Sequence, residues 1–377
     1  MNNGLRRVCV IGTGSFRPND PVPNERIDDV LGHLDQAPER VQTFVKTVGR
    51  KMLDASGIKY RHFAVNPETH ELTHNIASLA EEAARRALEM AGKRPDEVEL
   101  LLLSSSSYDT TTPPTSTHLQ ERLGIDHCAE MEIHSNCSGV GKCMQIAHDA
   151  LRLGRYRNAL VVYSQLSSVY LRSCYFNQAK ANKTQATLRY ILADGSGAVF
   201  LEARDSSNPE PLPGEVLGTY IESIGGRRRP AMTAGGGAAD CMKAVPNLLG
   251  DIWKRGSHHL DQDFFAVNRD ASNFLLEGVE RMLARLDLPP EAVDHFVWSI
   301  PTRQLFDAQS ERIRERLHAP PEKMRFRATD SGYCGGASIL IHFDDMVRSG
   351  ELKRGEKAIM YSVESSKWMS GGFLVHW

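Results

Sequence analysis

The sequence predicts a layered α/β fold built from two homologous halves, roughly 1–205 and 206–377. One observation is length, because 377 residues exceed the usual extent of a single hydrophobic core. Another is an internal repeat between residues 81–107 and 276–302. Each of these segments contains an amphipathic helix pattern, a proline-containing turn and an apolar strand that ends in small polar residues. Helices and strands that alternate in this way predict sheets with largely buried faces.

A second pair of segments repeats in the same order along the chain. Residues 148–164 and 344–362 each contain the end of a helix, a glycine, a charged turn and a hydrophobic strand. The length of the repeat unit excludes a short solenoid repeat and favours duplication of a whole α/β unit.

Two turns align between these repeated segments. The turn at Asn136–Gly139 aligns with the turn at Tyr333–Gly336. If the halves pack about a pseudo-twofold axis, these turns would meet near the axis, together with the strand ends at Ser107 and Thr302. We therefore expect one cavity lined by small polar and reactive side chains. The alternative is that all four places are ordinary turns at the edge of a sheet.

Cys137 lies where a predicted strand ends and a helix begins. A helical repeat of apolar residues runs over 140–153 and stops at Gly154, while Ser138 and Gly139 tolerate a tight turn. A thiol at this place would face unpaired N–H groups and the positive end of the helix dipole. Both favour a thiolate, and the same N–H groups can bind an oxyanion. Cys137 is therefore a candidate nucleophile, and the alternative is a small buried hydrophobic residue.

Composition excludes several classes of function. Lys and Arg total 45 against 47 Asp and Glu, so net charge favours neither nucleic acid nor a membrane surface as a partner. The cluster Arg227–Arg229 is interpreted as a solvated loop. Seven irregularly spaced cysteines favour a reducing compartment, and no paired CxxC sequence suggests a metal site. With no long apolar run at the N-terminus, we predict a cytoplasmic protein without a secretion signal or membrane span.

Five segments, taken in order and spacing, resemble motifs of the ketoacyl synthase III (3-oxoacyl-ACP synthase III) family of the thiolase superfamily. The resemblance covers almost the whole chain. It implies a thiolase-like duplicated five-layer αβαβα fold, usually a homodimer, that carries acyl groups as thioesters on the cysteine. The segments are Ile11–Pro18, Gly57–His62, His134–Gly139, Ala193–Ala198 and Gly350–Gly355.

The chain departs from the condensing members of that family at three of the four usual catalytic places. Those members use a histidine and an asparagine to stabilise an enolate, and alignment puts Thr302 and Tyr333 at these positions. The glycine loop that contributes an oxyanion donor is replaced by Glu364–Trp368. Only Cys137 is retained.

These departures predict an acyltransferase, and the resemblance to acyl-transferring relatives implies a role in natural-product (secondary) metabolism. Attack of a thiol on a thioester needs chiefly positioning and N–H donors. The transition state of decarboxylation instead loses about 3–4 kcal/mol of stabilisation for each missing hydrogen-bond donor. We predict transfer from a CoA or acyl-carrier-protein thioester through Cys137 to an amine or hydroxyl of a small molecule, with no permanently bound cofactor and no metal. The alternatives are a condensing enzyme rebuilt with Thr302, Tyr333 and Ser366, and a non-catalytic subunit of a heteromeric complex.

Other residues near the predicted cavity have less certain roles, and two interpretations stay open for each. Tyr333 either donates to an oxyanion or fills volume, and Cys334 is either a second thiol or a packed small residue. Glu364, beside Ser366 in the altered loop, is the acidic candidate for a general base. Cys143 is expected in the core.

Four histidines are weighed as possible bases. His134 precedes Cys137 by an odd number of residues on a strand, which predicts the opposite face and either a packing role or an indirect contact with the site. His118 is interpreted as a surface residue that alternatively approaches the pocket. His258 and His259 are interpreted as a solvated loop, with an acceptor-binding lid as the alternative.

Two further segments are expected near the pocket. The polar segment 164–190 predicts a rebuilt pocket, because the resemblance implies that this region forms the dimer interface and the acyl tunnel. The segment 226–240 has loop composition at the junction of the halves. It is interpreted as a linker, with a flap or a cavity mouth as the alternative.

Overall fold

A computed structural model describes residues 5–205, 210–242 and 244–377. The predicted boundary between the halves, at 205/206, borders residues 206–209, which lie outside the described residues. That boundary therefore stays a prediction.

The strands are β1 Arg7–Phe16, β2 Val22–Pro23, β3 Tyr60–Arg61, β4 Leu100–Ser105, β5 Ala129–His134, β6 Asn158–Gln165, β7 Gly195–Arg204, β8 Glu215–Ser223, β9 Met232–Thr233, β10 Asp261–Gln262, β11 His295–Trp298, β12 Lys357–Glu364 and β13 Met369–His376. The α-helices are α1 Ile27–Leu31, α2 Glu39–Phe44, α3 Arg50–Ser56, α4 Ile76–Ala91, α5 Thr115–Leu123, α6 Gly139–Arg152, α7 Ser168–Leu171, α8 Lys183–Leu188, α9 Leu248–Arg255, α10 Phe264–Arg285, α11 Arg303–Leu317 and α12 Ala337–Ser349. A π-helical turn occupies Val45–Gly49, and short 3₁₀ turns occupy Asn24–Arg26, Pro95–Glu97, Gln178–Lys180, Ala238–Met242, Pro290–Ala292 and Pro321–Lys323.

The main sheet has the strand order β5-β4-β6-β7-β1-β8-β13-β12-β11. In its first part, β4 runs parallel to β6, and β7 runs antiparallel to both β6 and β1. In its second part, β11 runs parallel to β12, and β13 runs antiparallel to both β12 and β8. The two parts thus share one order and one set of strand directions, and the pair Cys9 and Glu215 joins them across β1 and β8. This topology agrees with the duplication predicted from the sequence.

Helices form three layers around the two parts of the sheet. Helices α6 and α12 lie in the middle, since each contacts strands of both parts. Helices α4 and α5 cover the outer side of the first part, and α10, with α11 packed on it, covers the second. The predicted five-layer αβαβα thiolase-like fold is therefore confirmed. Within the described ranges, no helix combines the length and apolarity needed to cross a bilayer.

Helix α6 buries the apolar face predicted from its spacing. Val140, Met144, Ala147 and Leu151 are each fully buried in the largest hydrophobic cluster, where they meet side chains of both halves. Burial of a large aliphatic side chain stabilises the fold by about 1.5–3 kcal/mol. Cys143 is also fully buried, as expected for a core cysteine. The helix that follows the Cys137 turn is thus firmly held between the halves.

Close approach of α6 to β13 depends on glycine. A Cβ atom added at Gly141 would lie 2.6 Å from backbone atoms of Gly371 and Gly372. Backbone atoms of a central strand cannot move away cheaply, so only glycine fits here. This contact sets how deeply the start of α6 sits between the halves.

We expect Gly141→Ala to lower the free energy of unfolding by about 1–3 kcal/mol, because overpacking outweighs the gain in helix propensity. Urea denaturation measures this change. The matched control is Gly237→Ala, where an added Cβ would meet no described heavy atom within 4 Å. That variant should stay within about 0.5 kcal/mol of the wild type. Equal stability of the two variants would contradict the proposed backbone contact.

Candidate active site

Cys137 lies in the wall of a cavity of about 1610 Å³. The same wall contains Ser107 from the first half and Tyr333, Glu364 and Ser366 from the second. Ligand pockets commonly measure roughly 300–1,000 Å³, so this space is large enough for an acyl group together with a second reactant. The turns at Cys137 and Tyr333 do meet at one cavity.

Two hydroxyl groups surround the sulfur of Cys137. The Sγ atom lies 3.0 Å from Tyr333 Oη. The Ser299 hydroxyl lies 3.1 Å from Tyr333 Oη and 3.1 Å from the carbonyl oxygen of Gly335. Ser299 has one proton and can donate it to only one of these oxygens at a time. The thiol therefore faces a short chain of neutral hydroxyl groups.

Burial raises the pKa of the Cys137 thiol to about 12, and the hydrogen bond from Tyr333 offsets this effect only in part. The negative charge of Glu364 also raises this pKa. The sequence favoured a thiolate at Cys137, but loss of hydration outweighs the local donors and raises the pKa instead. Burial likewise raises the pKa of Tyr333 well above its ordinary value, so both groups are protonated near neutral pH.

Two N–H groups of the turn that leads into α6 already have acceptors. The N–H of Ser138 donates to Glu364 Oε2 at 3.2 Å, and the N–H of Gly139 donates to the carbonyl oxygen of Asn136 at 2.9 Å. Because α6 begins only at Gly139, Cys137 precedes the helix. The N–H of Cys137 itself lowers the pKa of its own thiol. The N–H groups of Ser138 and Gly139 are therefore not free to bind an oxyanion, and an oxyanion site at this turn stays a prediction.

Glu364 is the acceptor at the centre of this arrangement. It ends β12, is 2% exposed, and accepts hydrogen bonds of 2.6 Å each from the hydroxyls of Ser135 and Ser138, together with a bond from the Ser366 hydroxyl. Burial acts to raise the pKa of Glu364, but the three serine hydroxyls and the positive charge of Lys142 lower it overall. A carboxylate with a lowered pKa and occupied oxygens is poorly suited to be a general base. It instead holds the Cys137 turn in place.

Sequence reasoning missed two residues of the site. Lys142 donates from Nζ to Ser135 Oγ at 2.8 Å and to Met369 Sδ at 3.3 Å, beneath the Cys137 turn. In the sequence, Lys142 is marked only by its charge, because the other residues in the first turns of α6 are apolar or small. Ser299 is the first residue after β11, a place where polar side chains commonly line sites in α/β folds.

Thr302 is the site residue whose predicted place differs from the structure. Its hydroxyl accepts a hydrogen bond from the N–H of Leu305 at 3.2 Å and caps α11. It is not among the described residues of the cavity wall. Ser299, three residues earlier, reaches Tyr333 instead, because β11 ends at Trp298 and the intervening residues lead away to the helix.

Cys334 faces the core and not the cavity. It is 1% exposed, and its thiol donates to the carbonyl oxygen of Asp194 at 3.3 Å. Burial raises the pKa of this thiol to about 12 as well. Of the two interpretations left open for Cys334, the packed residue agrees with this position.

The histidines differ from expectation in two respects. His134 is exposed and lies in the cavity wall, whereas a packing role or an indirect contact with the site was predicted. His259 is 3% exposed and accepts the N–H of Asn177, so the predicted solvated loop is wrong there. Burial lowers the pKa of His259 to about 4. His258 and His118 both lie in the cavity wall.

Two segments expected near the pocket contribute to its wall. Gln165, Ser167 and Tyr170 come from the segment 164–190, and residues 232–237 come from the loop 226–240. The second segment is therefore part of the cavity and not a bare linker.

The fold and the buried cysteine turn define a thiolase-like protein. Residues 131–219 match the family model described as 3-oxoacyl-[acyl-carrier-protein (ACP)] synthase III, and residues 283–376 match the model of its C-terminal part. The chain is accordingly a ketoacyl synthase III-like protein of the thiolase superfamily. This likeness implies an enzyme that transfers or condenses acyl groups.

Solved structures share the fold at low sequence identity. A tetronic acid condensing enzyme, AbyA1, is 23% identical with a TM-score of 0.77, over 98% of this chain and 100% of that one. The priming β-ketosynthase of the R1128 polyketide pathway is 23% identical with a TM-score of 0.76, over 100% and 97%. The 3-oxoacyl-(acyl carrier protein) synthase III of Pseudomonas aeruginosa PAO1 is 21% identical with a TM-score of 0.75, over 99% and 98%.

We expect alkylation of Cys137 by neutral iodoacetamide to keep accelerating between pH 8 and pH 10, by about tenfold per pH unit, because only the thiolate reacts and the pKa lies near 12. Tyr333→Phe should slow the reaction and Glu364→Gln should accelerate it, since these groups lower and raise the pKa of Cys137 respectively. Peptide mass spectrometry follows the site, with exposed Cys174 as the internal reference. A plateau below pH 8 in the wild type would show that the thiol ionises readily.

Thr302→Ala should cost about 1 kcal/mol of stability through loss of the α11 cap, and should leave the alkylation rate of Cys137 unchanged. The comparison is Ser299→Ala, which removes a hydroxyl that lowers the pKa of Cys137 and should slow alkylation. Thermal unfolding and the same peptide measurement report the two effects. If Thr302→Ala slowed alkylation and Ser299→Ala did not, Thr302 and not Ser299 would be the residue that acts on the Cys137 thiol.

Proposed function

We propose that Cys137 accepts an acyl group from a CoA or acyl-carrier-protein thioester and passes it to an amine or hydroxyl of a small molecule. The observation that carries this proposal is a thiol in the wall of a large cavity whose polar neighbours are the hydroxyls of Tyr333 and Ser299. A homodimer, a cytoplasmic location and a role in natural-product metabolism remain predictions.

In the first step, the Cys137 sulfur bonds to the acyl carbon, the donor carbon–sulfur bond breaks, and the thiol proton leaves with the donor thiol. One thioester replaces another, so little energy is required beyond positioning. The Tyr333 hydroxyl, 3.0 Å from the sulfur, is placed to donate to the negative charge that develops on the sulfur or the carbonyl oxygen.

In the second step, the acceptor nitrogen or oxygen attacks the thioester carbon, and the bond to Cys137 breaks. The released sulfur takes up the proton that the acceptor loses. Because the pKa of Cys137 is raised to about 12, this sulfur is a strong base at the moment of release. Cys137 therefore supplies part of what a separate general base would provide.

Condensation is the second candidate, since the hydroxyls of Tyr333 and Ser299 are possible donors to an enolate. The Tyr333 hydroxyl already contacts Cys137, and the Ser299 hydroxyl already contacts the carbonyl oxygen of Gly335. Two neutral hydroxyls with other partners are a weaker substitute for two dedicated donors. This comparison favours transfer over condensation.

Incubation with a panel of acyl-CoA and acyl-carrier-protein thioesters should give covalent adducts on the intact protein, detected by mass spectrometry. Cys137→Ala should abolish them. Cys334→Ala is the matched control, because that thiol aligns with Cys137 in the repeat but faces the core, and it should retain the adducts.

Absence of adducts with every donor would favour the non-catalytic subunit. Release of carbon dioxide from a malonyl donor, with formation of a carbon–carbon bond, would favour the condensing enzyme. Adducts that disappear when an amine or alcohol acceptor is added support acyl transfer.

A further inference from the structure

We propose that the acceptor carries its amine or hydroxyl on an aromatic ring system, and that this ring binds against an aromatic face of the cavity wall. The inference rests on the proposed acyl transfer and adds the class of acceptor. The aromatic face consists of five described residues of the wall, which are Tyr108, Tyr170, Tyr175, Trp253 and His258.

The aromatic face lies beside the nucleophile because of the strand order. Strands β5, β4 and β6 are neighbours and run parallel to one another. Cys137 follows β5, Tyr108 follows β4, and Tyr170 follows β6. Residues that follow the carboxyl ends of parallel strands meet at one edge of a sheet, where ligands bind in α/β folds. A ring on the aromatic face therefore lies at the same edge of the sheet as a thioester on Cys137.

Contacts within the aromatic face hold its rings in place. Tyr175 packs edge-to-face against Tyr170, with ring centroids 5.6 Å apart, and against His258, with centroids 5.0 Å apart. The Tyr175 hydroxyl donates to the carbonyl oxygen of His258 at 3.1 Å, and His258 Nε2 lies 2.9 Å from the carbonyl oxygen of Tyr175. Asn177 Nδ2 donates to the carbonyl oxygen of Trp253 at 3.0 Å and ties α9 to the same segment. Rings that are fixed before binding lose little conformational entropy when a ligand packs on them.

The aromatic face is uncharged and partly open to solvent. Burial raises the pKa of Tyr175 to about 12 and also raises the pKa of Tyr170, so both phenols are neutral near neutral pH. Tyr108 is 47% exposed and Trp253 is 53% exposed. Leu249, one turn before Trp253 on α9, is 76% exposed and lies in the same wall. Exposed apolar surface that borders a cavity is typical of a ligand-binding groove.

The wall near the sulfur differs in character from the aromatic face. Its side chains include the Tyr333 phenol, the Glu364 carboxylate and the Ser366 hydroxyl. An acceptor with a polar nucleophile at one end and a flat apolar ring at the other matches this division. A flexible acyl or pantetheine chain would gain only contact area from the aromatic face, whereas an aromatic pair is more stable than its buried area alone accounts for.

The ring supplies binding and takes no part in the chemistry. The acceptor nitrogen or oxygen bonds to the acyl carbon, the carbon–sulfur bond to Cys137 breaks, and the proton of the acceptor passes to the released sulfur. Contact with the ring is the same before and during this step. The aromatic face should therefore lower the KM for the acceptor and leave acylation of Cys137 unchanged.

The experiment starts from acetylated Cys137, prepared with an acetyl thioester, and follows loss of the acetyl group to added acceptors by intact-protein mass spectrometry. Phenylethylamine and phenylethanol are compared with cyclohexylethylamine and cyclohexylethanol, in which the same reactive group is joined through the same linker to a non-aromatic ring. The phenyl compounds should reach half-maximal rate at concentrations about 3- to 10-fold lower. Equal use of phenyl and cyclohexyl acceptors by the wild type would overturn the proposal.

Trp253→Leu and Tyr108→Leu each remove a ring that is about half exposed, so the fold should tolerate both changes. Each should reduce the preference for phenyl acceptors by at least about twofold without slowing acylation of Cys137. Tyr60→Leu is the matched control, because Tyr60 is 41% exposed and is not among the described residues of the cavity wall. It should retain the full preference. Slower acylation in Trp253→Leu and Tyr108→Leu would assign the aromatic face to the donor and contradict the proposal.

Ligand binding to Cys137→Ala separates this proposal from the proposed function. Isothermal titration calorimetry with phenylethanol and cyclohexylethanol measures the ring preference without acyl chemistry. A preference for phenylethanol, together with no acyl adduct on the wild type, would refute the proposed function alone. Acyl adducts on the wild type, together with no ring preference in transfer or in binding, would refute the acceptor class alone.

Discussion

The contact between the Glu364 carboxylate and the Cys137 turn is the interaction on which the site depends. Glu364 ends a strand of the second half, and its partners Ser135 and Ser138 lie on either side of Cys137 in the first half. A single side chain thus joins the two halves on either side of the sulfur, next to the contact between Cys137 and Tyr333. Because the carboxylate is buried and multiply hydrogen-bonded, loss of one partner would leave uncompensated polar groups and shift the turn.

Burial sets the protonation state of the thiol, and the charge of Glu364 adds to its effect. A helix N-terminus usually lowers the pKa of a cysteine, and the sequence led us to expect that effect at Cys137. In the structure the first N–H group is used by Glu364, and burial dominates. The thiol is held in its neutral form. A neutral resting thiol is also less open to oxidation than a thiolate.

The sequence predicted those features that depend on periodicity and repetition. The buried face of α6 and the meeting of the Cys137 and Tyr333 turns both follow from apolar spacing and from the duplication. It did not predict that Ser299, and not Thr302, would reach Tyr333. Which of the two residues lies at the site depends on the residue at which β11 ends, and the two positions are three residues apart. The pKa of Cys137 was equally beyond sequence reasoning, since it depends on burial and on a charge from the other half.

Duplication also explains why the site is chemically asymmetric. Cys137 and Cys334 occupy equivalent turns before α6 and α12, yet only Cys137 lies in the cavity wall. Tyr333, one residue before Cys334, turns toward Cys137, while Cys334 bonds to Asp194 in the core. Each turn thus presents a different side chain to the axis, a thiol from one half and a phenol from the other. Because buried helices follow both turns, neither turn can bring its other side chain to the cavity without rearrangement of the core.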